Sequence, residues 1–134
     1  MIASRSDTLA IETSSDIVRV RQRVREESVA LGFTLVDQTK LVTAASELAR
    51  NTYDYGGGGR MVLDVVEDGR RQGLRLVFED EGPGIPDIEQ ALADGYTSGG
   101  GLGMGLGGSR RLVNEFEIES GPGAGTRITA VRWR

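Results

Sequence analysis

The run Gly99-Gly100-Gly101-Leu102-Gly103-Met104-Gly105-Leu106-Gly107-Gly108-Ser109 sets the frame for reading the rest of the chain. Its glycines leave successive backbone N–H groups uncovered, and helical patterning begins at about Leu106. Open amides running into a helix start cradle anions, phosphate among them, through unpaired donors and the positive end of the helix dipole. A flexible tether is the bland alternative. Leu102, Met104 and Leu106 argue against it, because linkers seldom carry large apolar residues at regular spacing that could pack a lid closed. The run lacks Gly-Lys-Ser/Thr, so it is not a Walker phosphate loop. It lies late in the chain and after a helix, whereas a dinucleotide fingerprint follows the first strand of a βαβ unit.

Working upstream, Asp80-Glu81-Gly82-Pro83-Gly84 follows a strand pattern rich in Leu76, Val77 and Phe78. A carboxylate at the end of a buried strand needs a donor to face, and the exocyclic amino group of adenine is one. Glycines without Cβ would let a flat ring lie against the backbone. A polar turn leaving a strand is the competing reading. Further upstream, Glu47 and Asn51 stand four residues apart in a helical pattern and so share a face. An amide oxygen can join the oxygen shell of Mg²⁺, and a carboxylate one turn away can take a proton from an attacking water or hydroxyl. By itself that spacing also occurs on many solvated helix faces.

The remaining pattern supplies the elements. Thr8 to Glu12 reads as a strand, and Thr13, Ser14, Ser15 and Asp16 as a helix start. Ile17, Val20, Val24 and Leu31 form one apolar stripe that ends at Gly32. A second helix is predicted from about Val36 to Tyr53, with Leu41, Ala44, Ala45 and Leu48 on one face. Arg60 to Glu67 and Gly73 to Glu79 read as a hairpin turning at Glu67-Asp68-Gly69. Asp87 to Ala93 reads as a short helix, and Phe116 to Glu119 and Thr126 to Trp133 as the last strands. The order β-α-α-β-β-α-loop-α-β-β predicts an α+β, two-layer sandwich of a mixed, mainly antiparallel sheet with helices on one face. A single domain over residues 1–134 is expected.

Composition narrows the function. The 134 residues include 20 glycines, gathered in four clusters, and carry a formal net charge of −4. Such a balance gives no general attraction to phosphate backbones, so a nucleic-acid partner is not expected. Arg19, Arg21, Arg23 and Arg25 concentrate positive charge on the first helix, as a solvated face or as a docking surface. The chain has no cysteine and no histidine, which excludes disulfides, thiol nucleophiles, Ser-His-Asp chemistry and phosphate storage on the protein's own histidine. Met1 to Asp7 is polar and no apolar run is long enough to span a bilayer, so a cytoplasmic protein without a membrane role is expected.

Glu47-x-x-x-Asn51, Asp80-x-Gly82-x-Gly84 and Gly101-x-Gly103-x-Gly105-Leu106 together resemble, in order and spacing, the N, G1 and G2 boxes of the GHKL (Bergerat-fold) ATPase/kinase superfamily. The resemblance covers nearly the whole chain, including Gly125-Thr126 before the last strand. Within it, the short form is similar to the anti-sigma-factor and switch serine/threonine kinases. The stretches Glu47 to Tyr53 and Gly105 to Phe116 resemble the RsbT-type switch kinases of stressosome pathways. The resemblance implies ATP and Mg²⁺ as cofactors, STAS-domain antagonist or scaffold proteins as phosphate acceptors, and activation of a PP2C-type phosphatase on release. It implies Glu47 as general base, Asn51 as the Mg²⁺ ligand, and Asp80 as acceptor for adenine N6. Gly82 and Gly84 would then line the base pocket, Gly101, Leu102, Gly103, Met104, Gly105 and Leu106 would wrap the phosphates, and Thr126 would support Asp80. Arg110 is a candidate γ-phosphate contact, with an ordinary surface position as the alternative. Two departures stand out. Thr52, Tyr53, Asp54 and Tyr55 replace the histidine or lysine that many members carry soon after the asparagine. The missing histidine and dimerisation helices also exclude an autophosphorylating sensor kinase. A nucleotide-gated anti-sigma factor or binding module with little phosphotransfer is the other reading. A subdomain of a repair ATPase or gyrase is disfavoured, since those proteins attach long further domains.

Overall fold

Glu47 and Asn51 sit on a helix held between its neighbours and a five-stranded sheet, and the register of that sheet sets where the other motifs fall. The computed structural model describes residues 2–85, 87–93 and 105–134. Elements follow as β1 (Ile2–Ile11), α1 (Ser14–Ala30), α2 (Leu35–Asp54), β2 (Gly59–Asp68), β3 (Arg71–Asp80), α3 (Ile88–Ala91), α4 (Gly105–Arg111), β4 (Glu115–Ser120) and β5 (Thr126–Trp133). The spatial order is β1-β2-β3-β5-β4. Each of the four described pairings is antiparallel, so the expected mixture of strand directions is absent from the described sheet.

Paired residues share a face, which sorts the side chains into two layers. Met61, Phe78 and Ile128 form one row, and Leu63, Leu76 and Ala130 the next. All six are buried in the main core with Val20 and Val24 of α1 and Leu41, Ala45 and Leu48 of α2. α2 crosses β1, β2 and β3, while α1 packs on α2 and β1, and α4 on α2. The opposite face carries a smaller cluster of Val66, Val131 and Trp133. There the Trp133 indole N–H donates to Glu115 at 2.7 Å, the Arg71 guanidinium lies 4.1 Å over the ring, and Arg75 bridges the buried Asp64 at 3.0 Å.

β1 is longer than its pattern predicts. Residues Ile2 to Asp7 are exposed on an edge strand, so apolar alternation never marks them. Backbone pairing to β2 extends to Ile2, and two arginines fasten the strand to α1. Arg5 meets the buried Glu27, and Arg23 bridges Glu27 at 2.7 Å and Asp7 at 3.0 Å. Arg23 of the basic run is therefore structural, whereas Arg19, Arg21 and Arg25 are exposed.

Thr34 starts α2, its hydroxyl accepting from the Asp37 amide at 3.2 Å. Thr34→Ala removes that acceptor and should lower unfolding stability by about 1 kcal/mol, read as a shifted urea midpoint at constant slope. No helix among the described residues is long and apolar enough to cross a membrane.

Candidate functional site

α2 places Leu48, Ala49 and Thr52 in the core and leaves Glu47 and Asn51 half-buried at the edge of that stripe. The Thr52 hydroxyl donates to the Leu48 carbonyl at 3.0 Å, which satisfies a buried polar group within the helix. At the helix end, the Asn51 carbonyl accepts from the amides of Tyr55 and Gly56, at 3.0 and 3.2 Å. This turn swings the chain down onto the end of β3. Gly56 arrives so close that a Cβ built there would overlap the Asp80 side chain, and a Cβ on Gly82 would lie 2.7 Å from the Gly56 Cα. The Asn51 turn, Gly56, Asp80 and Gly82 therefore form one corner. Gly56 to Gly59 is one of the four glycine clusters, and no reading of the sequence places it here. A glycine soon after Asn51 was the signal available.

Asp80 pairs with Gly59 on one side and Thr126 on the other. Its Oδ1 accepts from the Gly82 amide at 2.9 Å. Burial pushes the carboxyl above its ordinary value of 3.8, against the amides of Gly82 and Thr126, which pull it down. A half-buried, partly satisfied acceptor suits a ligand with amino-type donors. It stays reachable, because a cleft of about 380 Å³ at the strand ends is lined by Asp80, Ser120, Gly121 and Thr126.

Thr126 acts on Asp80 through its backbone amide, while its hydroxyl lies 3.0 Å from Ser120 Oγ. Ser120, which nothing in the sequence singles out, joins two loops. Its hydroxyl accepts from the Ile85 amide at 2.8 Å and donates to the Gly125 carbonyl at 2.7 Å. Gly84 precedes Ile85 with φ of 80°, and a Cβ there would run into the Gly121 carbonyl. Gly84→Ala should cost about 1 to 2 kcal/mol of stability through the left-handed backbone and that clash, again measurable from the urea midpoint. Thermal unfolding at the parental temperature would show that the loop yields freely.

Gly105 opens α4, and Leu106 is buried in the core, where α4 packs on α2. Arg110 is exposed in the last turn of α4, where a cation favours the helix dipole. The phosphate-wrapping expectations for Gly101, Leu102, Gly103 and Met104 lie outside the described residues.

The fold defines an ATPase domain, and comparison with known proteins agrees. Residues 36–134 match the family described as Histidine kinase-, DNA gyrase B-, and HSP90-like ATPase, and the chain belongs to that family. It is similar to the Serine/threonine-protein kinase RsbT of Bacillus subtilis (strain 168), at 48% identity over 123 residues that cover 92% of each chain. An Anti-sigma F factor of Clostridium novyi (strain NT) is 32% identical over 100 residues, covering 71% of this chain and 70% of that protein. The RsbU and RsbW domains of Rv1364c from Mycobacterium tuberculosis share the fold, with a TM-score of 0.66 at 22% identity. That match covers 98% of this chain, which spans 33% of the length of the solved one.

Proposed function

We propose that the protein is a serine/threonine protein kinase of a partner-switching pathway. It moves the γ-phosphoryl group of ATP to a hydroxyl on a STAS-domain antagonist or scaffold protein. On release from that partner it activates a PP2C-type phosphatase. The observation that carries the reading is a carboxylate, Glu47, one helical turn before Asn51, on the helix whose end closes against Asp80. The 48% identity to a protein named as a serine/threonine kinase supports it.

Asp80 accepts the adenine amino group, at the corner where Gly82 packs against Gly56. Glu47 takes the proton of the acceptor hydroxyl as its oxygen bonds to the γ-phosphorus. The bond from that phosphorus to the β–γ bridging oxygen breaks, and ADP leaves with the electron pair. Little covalent work falls to the protein, so position and charge carry the acceleration.

The donor set fits magnesium. Among the described residues no group of three or more acidic side chains could hold a metal ion alone. A cation beside Asn51 would thus draw most ligands from phosphates and water, the habit of Mg²⁺. When bound, it neutralises phosphate oxygens. Asn51 would hold it through the amide oxygen.

A second reading, a nucleotide-gated anti-sigma module with little transfer, draws support from the 32% identity to an anti-sigma F factor. Incubation with γ-labelled ATP, Mg²⁺ and a purified STAS-domain protein separates the two. Label on a partner serine or threonine is expected. Tight ATP binding with an unlabelled partner would replace the kinase with the module.

A further inference from the structure

On α2, Arg50 follows Glu47 by three residues, and its Nη1 donates to Glu47 Oε1 at 3.2 Å. The two side chains differ in environment: Glu47 is 14% exposed and Arg50 47% exposed. The pair therefore joins a half-buried carboxylate to a cation reaching in from solvent. Stability gives little reason for it, since exposed pairs at this spacing contribute only a few tenths of a kcal/mol, and α2 is already anchored by Leu41, Leu48 and Ala49 in the core. Nor does the nucleotide corner use Arg50. That corner is built from the turn after Asn51, Gly56, Asp80 and Gly82, whereas Arg50 lies on the outer surface of the helix.

The chemistry of the carboxylate supplies the reason. The terminal torsion of a glutamate has broad wells, so its plane is poorly fixed by rotamer preference alone. A base must meet its proton within hydrogen-bond reach and in line. A guanidinium is a planar donor suited to holding a carboxylate in one orientation. We propose that Arg50 is a positioning residue, gripping one oxygen of Glu47 so that the carboxylate meets the acceptor hydroxyl in a single orientation. The inference rests on the reading of Glu47 as the base.

Steady-state transfer from ATP to a purified STAS-domain protein tests it, with Arg50→Ala, Arg50→Lys and Glu47→Gln compared in the full chain. Arg50→Ala should lower kcat about tenfold, with KM for ATP and for the acceptor unchanged and the thermal midpoint retained. Arg50→Lys should recover part of kcat, because an ammonium can donate to the same oxygen. Unchanged kcat in Arg50→Ala overturns the proposal. So does a raised acceptor KM at constant kcat, which would make Arg50 a docking contact. A Glu47→Gln protein that transfers at the parental rate removes the base assignment itself. An inactive Glu47→Gln beside an unaffected Arg50→Ala removes the positioning role alone.

Discussion

Glu47→Ala is expected to cut phosphate transfer by about a hundredfold or more while ATP binds as tightly as before. The two effects separate because the proposed base and the proposed adenine acceptor belong to different elements. Glu47 lies on α2 a full turn before Asn51, whereas Asp80 ends β3 and accepts from the amides of Gly82 and Thr126. Removing the carboxylate leaves that corner intact, and alanine is a strong helix former at a half-buried site. Calorimetry with Mg-ATP and a transfer assay on the same sample check both halves. Transfer within a factor of about ten of the parent would show that the acceptor hydroxyl needs no base from this helix, as a loose, metaphosphate-like transition state allows.

Asp80→Asn has the opposite signature. Nucleotide affinity should fall about tenfold to a hundredfold, the weight of a hydrogen bond to a charged group lost in a desolvated place. The free protein should melt within a few degrees of the parent or higher. Burial raises the Asp80 pKa, so the folded state binds a proton at this site more readily than the unfolded chain. The resulting penalty on the fold is absent below the ordinary value of 3.8, grows through the window up to the raised folded value, and is complete above it. At neutral pH the Asn side chain removes that penalty and still offers Oδ1 to the Gly82 amide. In the parent, affinity for ATP should decline as pH falls through the same window, because the protonated carboxyl gives up part of its acceptor capacity. Undiminished calorimetric heat for Asp80→Asn would mean the base is held elsewhere.

Much of this was legible in the sequence, and the gaps have physical causes. The strand Thr126 to Trp133 and the long α2 were readable because each buries one face and so prints its period in apolar residues. The N-terminal half of β1 buries almost nothing and pairs through backbone groups that every residue carries, so no pattern could reveal it. The hairpin turn falls at Gly69-Arg70, just beyond the predicted Glu67-Asp68-Gly69, because cross-strand pairing continues to Asp68 and Arg71. Asp80 and Gly82 could be placed at a strand end from residue type, and the structure joins them there through the Gly82 amide. Ser120 was not, since its role depends on two loops meeting 35 residues apart in sequence. Glu47 and Asn51 could be placed on one face by spacing, whereas the grip of Arg50 on Glu47 needed coordinates.

The contact between Gly56 and the Asp80 carboxylate ties the helix end proposed to hold the metal to the strand end proposed to read the base. A nucleotide spanning them meets a gauge of set span: the gap between its two anchors belongs to the scaffold, and neither can be re-spaced alone. Lengthening the connection from Asp54 to Gly59 by a single residue would therefore spoil the grip at both ends of the molecule, although it touches neither anchor.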